Sequence, residues 1–503
     1  MSDEIAATAA EAPPAPAGEE AKEEHSLGTR TIRSMFWVYG SYVGGRIMVL
    51  LSIAILARLL TPKDFGLVAL ALTFTALLET VKDFGLGQAL IVSKEEDIES
   101  RANTVFWWGM IIGLTGTLII CVSAHWIADF YNNQQVFWVL IALSLNFPLT
   151  ALGATQEAIA QKRMDFRWQT AAQLSNVAVR GTLGVALALL GFGVWSLVLG
   201  YLVGTLTWSV VLWVLVGFRP KLKFTNQHAR ELFAFGGILT AVDVLHGIWA
   251  SADALVIGRV LGASSLGLYS LGIRLPELII INLSVVAASV LFPAFTKVDD
   301  DRLKRVLLTS LRFTMVIGAP LAAGLAVLSP AIVPALFGGQ WGGAVAPMQI
   351  ICLYALLLTL EIPGGTIFKV TGRASMLLKL AIPRTILLYI ALILFAHYGL
   401  AAVAWCLVGV TALFASIALG LACKVTGARP LQMVGACWAP AVSAVVTGGV
   451  IWLATVEIPG NWPKIFVGAA VGFLTYVGML WVTDRTTLTY LLEKTFPRFA
   501  KAV

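Results

Sequence analysis

The chain has 503 residues, of which 58% are hydrophobic and only 13% are charged, and its mean hydropathy is +0.85. Because soluble proteins carry about 25% charged residues, this composition excludes an ordinary soluble protein and predicts an all-α, polytopic membrane protein. In such a protein the formal net charge of +7 reflects how the chain crosses the bilayer, so we expect no nucleic-acid partner.

Residues 1–30 are rich in Ala, Pro and Glu and contain no apolar run, which predicts a disordered cytoplasmic tail and excludes a signal peptide. Apolar runs long enough to cross a hydrocarbon core of about 30 Å follow this tail. We predict about fourteen transmembrane helices, near 35–60, 65–90, 102–124, 136–156, 171–191, 193–217, 231–261, 266–293, 306–336, 344–368, 373–397, 399–423, 434–455 and 462–483.

Basic residues alternate between the two sides of these predicted spans. The loops on one side, together with both tails, contain nearly all Lys and Arg residues outside the spans, whereas the loops on the other side contain only Lys63 and Lys464. The positive-inside rule therefore predicts an even number of spans with both termini in the cytoplasm. The loops on the outer side are all short, so we expect no domain outside the membrane on that face.

The basic segment 218–230 divides the predicted spans into two similar sets. We predict an N-terminal lobe of six helices at 31–217 and a C-terminal lobe of six helices at 231–423, joined by this cytoplasmic linker. Residues 424–484 add two further transmembrane helices, and residues 485–503 form a cytoplasmic tail.

A repeated motif marks the start of each lobe. The segment Ile55–Leu67 recurs as Val256–Leu268, which lies 201 residues later (256 minus 55), and the repeat aligns Arg58 with Arg259. Both copies fall at an outer turn between two helices, so the two arginines are candidates for an outer gate between the lobes. The alternative is that each arginine only extends to the membrane interface.

Charged side chains inside the spans are the second candidate site. A charge at the centre of a bilayer costs about 2.5–3.5 kcal/mol, so each one needs a partner or an aqueous cavity. Arg46 lies mid-span, and Tyr39 and Tyr42 fall within about 40° of it on the same helix face. Since a guanidinium group can bind phosphate with two hydrogen bonds, these residues are a candidate surface for a phosphorylated sugar.

Four other basic residues are further candidates for lining a substrate cavity. Arg180 and Arg384 are mid-span and have no acidic residue three or four positions away. Lys82 and Arg274 have acidic residues nearby on the same helix, so each of them either lines the cavity or pairs locally.

The seventh predicted span contains titratable residues on one face. Asp243, His246 and Asp253 fall within an arc of about 80°. Acidic residues inside membranes often couple transport to protons or cations. We therefore predict either ion coupling or balancing of the arginine charges across the cavity.

Other chemistry is not indicated by the sequence. There is no Gly-rich phosphate loop ending in Gly-Lys-Ser/Thr, so we expect no ATP hydrolysis by this chain. The five histidines are scattered, and the five cysteines form no CxxC pair. We expect no metal site, no cofactor and no catalytic residues. The short outer loops also count against a membrane glycan polymerase or ligase.

Several motifs resemble those of the polysaccharide-transporter family of bacterial lipid-linked oligosaccharide flippases, within the multidrug/oligosaccharidyl-lipid/polysaccharide flippase superfamily. The resemblance covers roughly Thr31 to Arg485. It is carried by the segments Ala57–Leu67, Asp83–Leu86, Ala89–Ile91, Gln161–Phe166 and Ile257–Ser270.

This resemblance implies two six-helix lobes arranged as an inverted V, as in multidrug and toxin extruders, with two additional C-terminal helices. The implied cargo is an oligosaccharide repeat unit on polyprenyl diphosphate, which moves from the inner to the outer leaflet of a bacterial inner membrane by alternating access. It would serve exopolysaccharide or lipopolysaccharide synthesis. Membrane lipid and a polysaccharide polymerase or export machinery are the implied partners, and the implied functional unit is a monomer.

In the lipid II branch of this superfamily, basic residues on the first, second and eighth helices line the cavity. Arg46, Lys82 and Arg274 occupy those helices here. The alternative function is a multidrug or small-solute antiporter, coupled to a cation, on the same scaffold. Exporters of cationic drugs need an acidic cavity, whereas the predicted interior here is more basic than acidic.

Overall fold

The computed structural model describes residues 44–82, 87, 90–91, 98–221, 244–282, 300–373 and 375–485. Several of the predicted features lie outside these residues. They are Tyr39, Tyr42, Asp243, the side chain of Lys82, and the tails 1–30 and 486–503.

All regular secondary structure in these ranges is helical. The helices are α1 (44–59), α2 (Pro62–Lys82), α3 (Ile98–Phe130), α4 (Gln135–Ser144), α5 (Asn146–Lys162), α6 (Phe166–Leu189), α7 (Val194–Val216), α8 (Ala252–Val260), α9 (Gly262–Pro276), α10 (Asp300–Phe337), α11 (Val345–Val370), α12 (Ser375–Phe395), α13 (Leu400–Thr426), α14 (Pro430–Thr455) and α15 (Asn461–Thr483). Short helical segments at 244–250, Glu277–Ile281, Gly339–Ala344 and Ala396–Tyr398 extend or connect them.

The prediction of an all-α polytopic membrane protein is confirmed. Ten helical segments among the described residues are long and apolar enough to cross a membrane. The number fourteen stays a prediction. Several helices exceed their predicted spans: α3 has 33 residues and α10 has 38. They are longer because polar residues at their ends, such as Glu99 and Arg101, continue the helix beyond the apolar run that the prediction used.

Helix ends follow local sequence signals. Gly427 takes a left-handed conformation, with φ of 66°, directly after α13, and Pro430 begins α14. Glycine adopts this conformation without the steric penalty of a side chain, and proline is well suited to the first position of a helix. The chain therefore reverses within a few residues at this point.

The repeated motif lies at one end of the helices, where α1 meets α2 and α8 meets α9. We call this the motif end. The turn between α6 and α7 also lies there, because a Cβ atom on Gly193 would be 3.8 Å from the carboxylate of Asp64. We call residues 44–221 the first half and residues 244–426 the second half.

The C-terminal pair α14 and α15 packs on α10 of the second half. A Cβ atom on Gly468 would lie 2.6 Å from Leu328, and one on Gly472 would lie 2.7 Å from Ile451. The hydroxyl of Tyr476 donates a hydrogen bond of 2.9 Å to the carbonyl oxygen of Val316. These small residues let α15 approach its neighbours closely, as small residues often do between membrane helices.

Candidate functional site

The position of Arg46 follows from the packing of α1. Leu50, Ile53 and Ala57 of α1 pack into an apolar cluster that contains Leu271 and many other side chains of the second half. At 100° per residue, Arg46 is about 40° from Leu50 and about 20° from Ile53. It therefore lies on the face of α1 that is turned towards the second half. Its side chain is exposed, and it has an interaction partner.

Arg180 on α6 is the best-defined cation of the first half. Its side chain is solvent-exposed although protein atoms surround it on most sides, which is expected for a side chain that lines a cavity. The guanidinium group lies 4.5 Å from the centre of the Tyr201 ring. A cation at this distance is attracted by the electrons of the aromatic face, so Tyr201 holds Arg180 in place.

Close helix packing also positions Arg180. A Cβ atom on Gly200 of α7 would lie 2.9 Å from the carbonyl oxygen of Arg180, and one on Gly204 would lie 2.9 Å from the Cβ of Arg180. The backbone of α7 therefore presses directly on α6 at this residue. Near Tyr201, the amide of Asn146 donates a hydrogen bond of 2.5 Å to Glu79.

Arg274 reaches the same region from α9 of the second half. It is close enough to Arg180 for their charges to interact electrostatically. Its guanidinium Nη1 is 3.4 Å from Oε2 of Glu277, and the two side chains are 48% and 43% exposed. A rise of about 1.5 Å per residue places Arg46, Arg180 and Arg274 between about 15 and 21 Å from the motif end. We call this group the cationic cavity.

Arg384 has a different environment from the arginines of the cationic cavity. Its guanidinium group forms an ion pair of 2.7 Å with Glu361, donates a hydrogen bond of 3.1 Å to Thr411 and lies 4.8 Å from the ring centre of Trp249. The side chains of the ion pair are only 14% and 17% exposed. This arginine joins helices inside the second half, and its predicted role in substrate binding stays a prediction.

Two members of the predicted titratable group, His246 and Asp253, lie among the described residues. Asp253 accepts hydrogen bonds of 2.6 Å from the hydroxyl of Tyr269 and of 2.7 Å from the backbone N–H of Ala254. His246 is exposed, and its ring centre lies 5.4 Å from that of Trp249. Asp253 therefore ties α8 to α9, and its role in ion coupling stays a prediction.

The repeated motif joins the two halves through α2 and α9. A Cβ atom on Gly66 would overlap the carbonyl oxygen of Ala263, and one on Gly267 would overlap that of Pro62. Pro62 and Ala263 are themselves equivalent positions of the repeat. The two copies thus pack on each other reciprocally, with backbone in direct contact, and the motif end is closed.

The two repeated arginines each reach into the opposite half. Arg58 donates hydrogen bonds to the carbonyl oxygens of Ala335 and, at 3.1 Å, of Leu336, at the end of α10. Arg259 lies 5.3 Å from the ring centre of Phe130, the last residue of α3. Cations are favoured at the carboxyl ends of helices. We call these contacts, together with the packing of α2 on α9, the motif gate.

Sequence reasoning missed two aromatic residues of the motif gate. The indole N–H of Trp341, which is fully buried, donates a hydrogen bond of 2.7 Å to the carbonyl oxygen of Ala57. A Cβ atom on Gly258, the equivalent of Ala57, would lie 2.7 Å from the ring of Tyr131. One signal in the sequence could have indicated Trp341: this large aromatic residue stands between two pairs of glycines, in a short loop between two apolar helices.

The comparison with protein families identifies the chain. The sequence model of the family described as "Polysaccharide biosynthesis protein" matches residues 55–346, starting at the first residue of the repeated motif. The chain belongs to this family.

Relatives named for polysaccharide biosynthesis extend the match beyond those residues. The succinoglycan biosynthesis transport protein ExoT of Rhizobium meliloti is 27% identical over 95% of this chain and 98% of its own length. The lipopolysaccharide biosynthesis protein WzxC of Escherichia coli is 26% identical over 73% of this chain and 76% of its own length. The teichuronic acid biosynthesis protein TuaB of Bacillus subtilis is 27% identical over 57% of this chain and 60% of its own length.

Solved structures share the fold. An inward closed conformation of the lipid II flippase MurJ matches with a TM-score of 0.73 and 15% identity, over 90% of this chain and all of that one. An inward-facing multidrug resistance transporter of the MATE family matches with a TM-score of 0.58 and 16% identity, over 76% of this chain and 95% of its own length. The family match, the shared fold and the ten apolar helical segments among the described residues show that the chain is a multi-pass membrane protein.

Proposed function

We propose that this protein moves an oligosaccharide repeat unit, linked to polyprenyl diphosphate, from the inner to the outer leaflet by alternating access. One observation carries the proposal: Arg180 of the first half and Arg274 of the second half lie close enough for their charges to interact across the boundary between the halves. Two guanidinium groups repel each other unless an anion lies near both. A diphosphate has several negative charges and matches the planar geometry of guanidinium donors.

The physical chemistry of the cargo fits this site. A diphosphate cannot cross hydrocarbon without its water of hydration, because burying an isolated ion is very costly. The cationic cavity replaces that water while the polyprenyl tail remains in lipid. The relatives named for succinoglycan, lipopolysaccharide and teichuronic acid biosynthesis support a glycan as the transported head group.

Alternating access requires that the cavity opens on one side at a time. In the proposed cycle the lobes 31–217 and 231–423 rock against each other, and residues 424–484 follow the second lobe. The motif gate is the outer gate, and both termini are cytoplasmic in a bacterial inner membrane. The protein works as a monomer, and a polysaccharide polymerase or export machinery receives the product.

The second candidate function is cation-coupled export of a drug or small solute. Asp253 and Glu361 in the interior of the second half favour it, because buried carboxylates are the groups that such exporters protonate or load with a cation. However, the carboxylate of Glu361 is already paired with Arg384 at 2.7 Å. The accessible charges of the cationic cavity make a lipid-linked anion the better cargo.

The proposal is tested in a host strain that lacks the gene and any redundant flippase. Lipid-linked repeat units should accumulate facing the cytoplasm, and a membrane-impermeant reagent for the glycan should label them only after permeabilisation. Arg180→Ala and Arg274→Ala should each fail to restore outward labelling, whereas Arg163→Ala, on an exposed loop, should restore it. Normal outward labelling without the protein would refute the proposed function.

A further inference from the structure

We propose that Glu277 is an internal substitute for the anionic head group: it pairs with Arg274 in the empty cavity and is displaced when the diphosphate binds. This inference rests on the proposed function, because it assumes that Arg274 contacts the substrate. It assigns to Glu277 the role of a positioning residue that lowers affinity and thereby permits release.

The geometry of the pair of Arg274 and Glu277 indicates that another anion can replace Glu277 beside Arg274. The distance of 3.4 Å is long for an ion pair that is also a hydrogen bond, and both side chains are almost half exposed. Exposed ion pairs contribute little net stability because water competes for both partners. The pair of Arg384 and Glu361 in the same half is shorter, at 2.7 Å, and nearly buried. Of these two pairs, the one in the cationic cavity is therefore the one open to a competing anion.

The charges around Arg274 give Glu277 a function in the empty state. Arg180 lies nearby and is fixed against the ring of Tyr201. Glu277 supplies the negative charge beside Arg274, whereas Glu79 lies near Tyr201, the ring that holds Arg180. These two carboxylates balance the charges of the two arginines in the empty state. A diphosphate supplies more negative charge and can contact both arginines, so it wins the competition.

The position of Glu277 connects this exchange to the shape of α9. Pro276 lies inside the helix, and Glu277 begins a π-helical turn that extends to Ile281. Such turns are weak points in a helix and are frequent at functional sites. The same α9 begins at the motif gate, where Gly267 packs on Pro62. Release of Glu277 from Arg274 therefore changes the forces at the π-helical turn that follows α9, the helix whose other end lies at the motif gate.

The test measures binding of undecaprenyl diphosphate to the purified full-length protein in detergent micelles, with undecaprenol as the uncharged control lipid. Glu277→Gln should bind undecaprenyl diphosphate about threefold more tightly, since it loses a competing anion of the strength of an exposed ion pair. Glu277→Asp should behave like the unchanged protein. Glu457→Gln, in an exposed turn far along the chain, is the matched control and should leave binding unaltered.

Two further variants separate this inference from the proposed function. Arg274→Ala should weaken binding, and adding Glu277→Gln to it should give no recovery, because the competition requires both residues. If Arg274→Ala binds normally, the proposed cavity is wrong. If Arg274→Ala weakens binding but Glu277→Gln leaves it unchanged or weakens it, the exchange is refuted while the cavity stands. Size-exclusion profiles establish that each variant is folded.

Discussion

At the scale of single residues, two arginine–glutamate pairs of the second half, Arg384 with Glu361 and Arg274 with Glu277, have opposite uses. Arg384 and Glu361 are nearly buried, and their ion pair joins α11 to α12. Arg274 and Glu277 are on one helix and remain accessible. Burial decides the difference, because removing one partner of a buried pair leaves the other charge without compensation. One pair is therefore structural, and the other is available to a ligand.

We predict that Arg384→Ala destabilises the protein by about 3–5 kcal/mol, because Glu361 would remain as an uncompensated buried charge. Thermal unfolding in detergent measures the effect. Lys379→Ala is the matched control, since Lys379 lies on the same helix and is exposed, and it should change stability little. The double variant Arg384→Met with Glu361→Leu should recover most of the loss. An unfolding temperature for Arg384→Ala equal to that of Lys379→Ala would contradict this account.

At the scale of helices, the sequence predicted where the helices lie better than it predicted which helices pack against each other. The apolar runs predicted where helices lie, and the recurrence of Arg58 as Arg259 predicted matching turns. Periodicity within one helix does not reveal which helices touch. The ion partner of Arg384 was missed for this reason, since it stands 23 positions away on another helix. The indole of Trp341 was missed likewise, because its acceptor, Ala57, is in the other half.

The contact between α6 and α7 gives a prediction at this scale. Gly204→Ala should lower the free energy of unfolding by about 1–3 kcal/mol, as overpacking does in other proteins. The added methyl group would meet the Cβ of Arg180 and the side chain of Asn176, both at 2.9 Å. It should also reduce transport, because Arg180 would move.

The control is Gly409→Ala on α13, where a Cβ atom would have no neighbour within 4 Å. Both substitutions raise helix propensity equally, so the comparison isolates the steric contact. Denaturation in mixed micelles and the outward-labelling assay give the two readouts. Equal stability and transport for the two variants would show that α7 does not need a glycine to approach α6.

At the scale of the whole molecule, the two copies of the repeated motif form an interface between the first and second halves. Each copy contributes one glycine, one backbone carbonyl and one arginine, and each acts on the opposite half. The aromatic residues Tyr131 and Trp341 cover equivalent positions, Gly258 and Ala57. Reciprocal contacts of this kind form or break together, since neither half can withdraw from only one of them. The motif gate is therefore expected to have two discrete states, as alternating access requires.

This reciprocity predicts that Gly66→Ala and Gly267→Ala each favour the open gate, because either methyl group would overlap a carbonyl oxygen of the opposite copy. The measurement introduces Ala57→Cys, at a position that is fully buried in an apolar cluster shared with the second half, into a variant without its native cysteines. A membrane-impermeant maleimide should label the introduced thiol faster by about tenfold or more if closure loses at least 1.4 kcal/mol. Gly44→Ala on α1, where a Cβ atom meets nothing within 4 Å, should leave labelling slow. A Cβ atom on Gly267 would also lie 3.0 Å from the backbone nitrogen of Gly66, so the first methyl group already separates α2 from α9. The double variant should therefore label little faster than either single one, and additive acceleration would show that the two sites are not coupled through this contact.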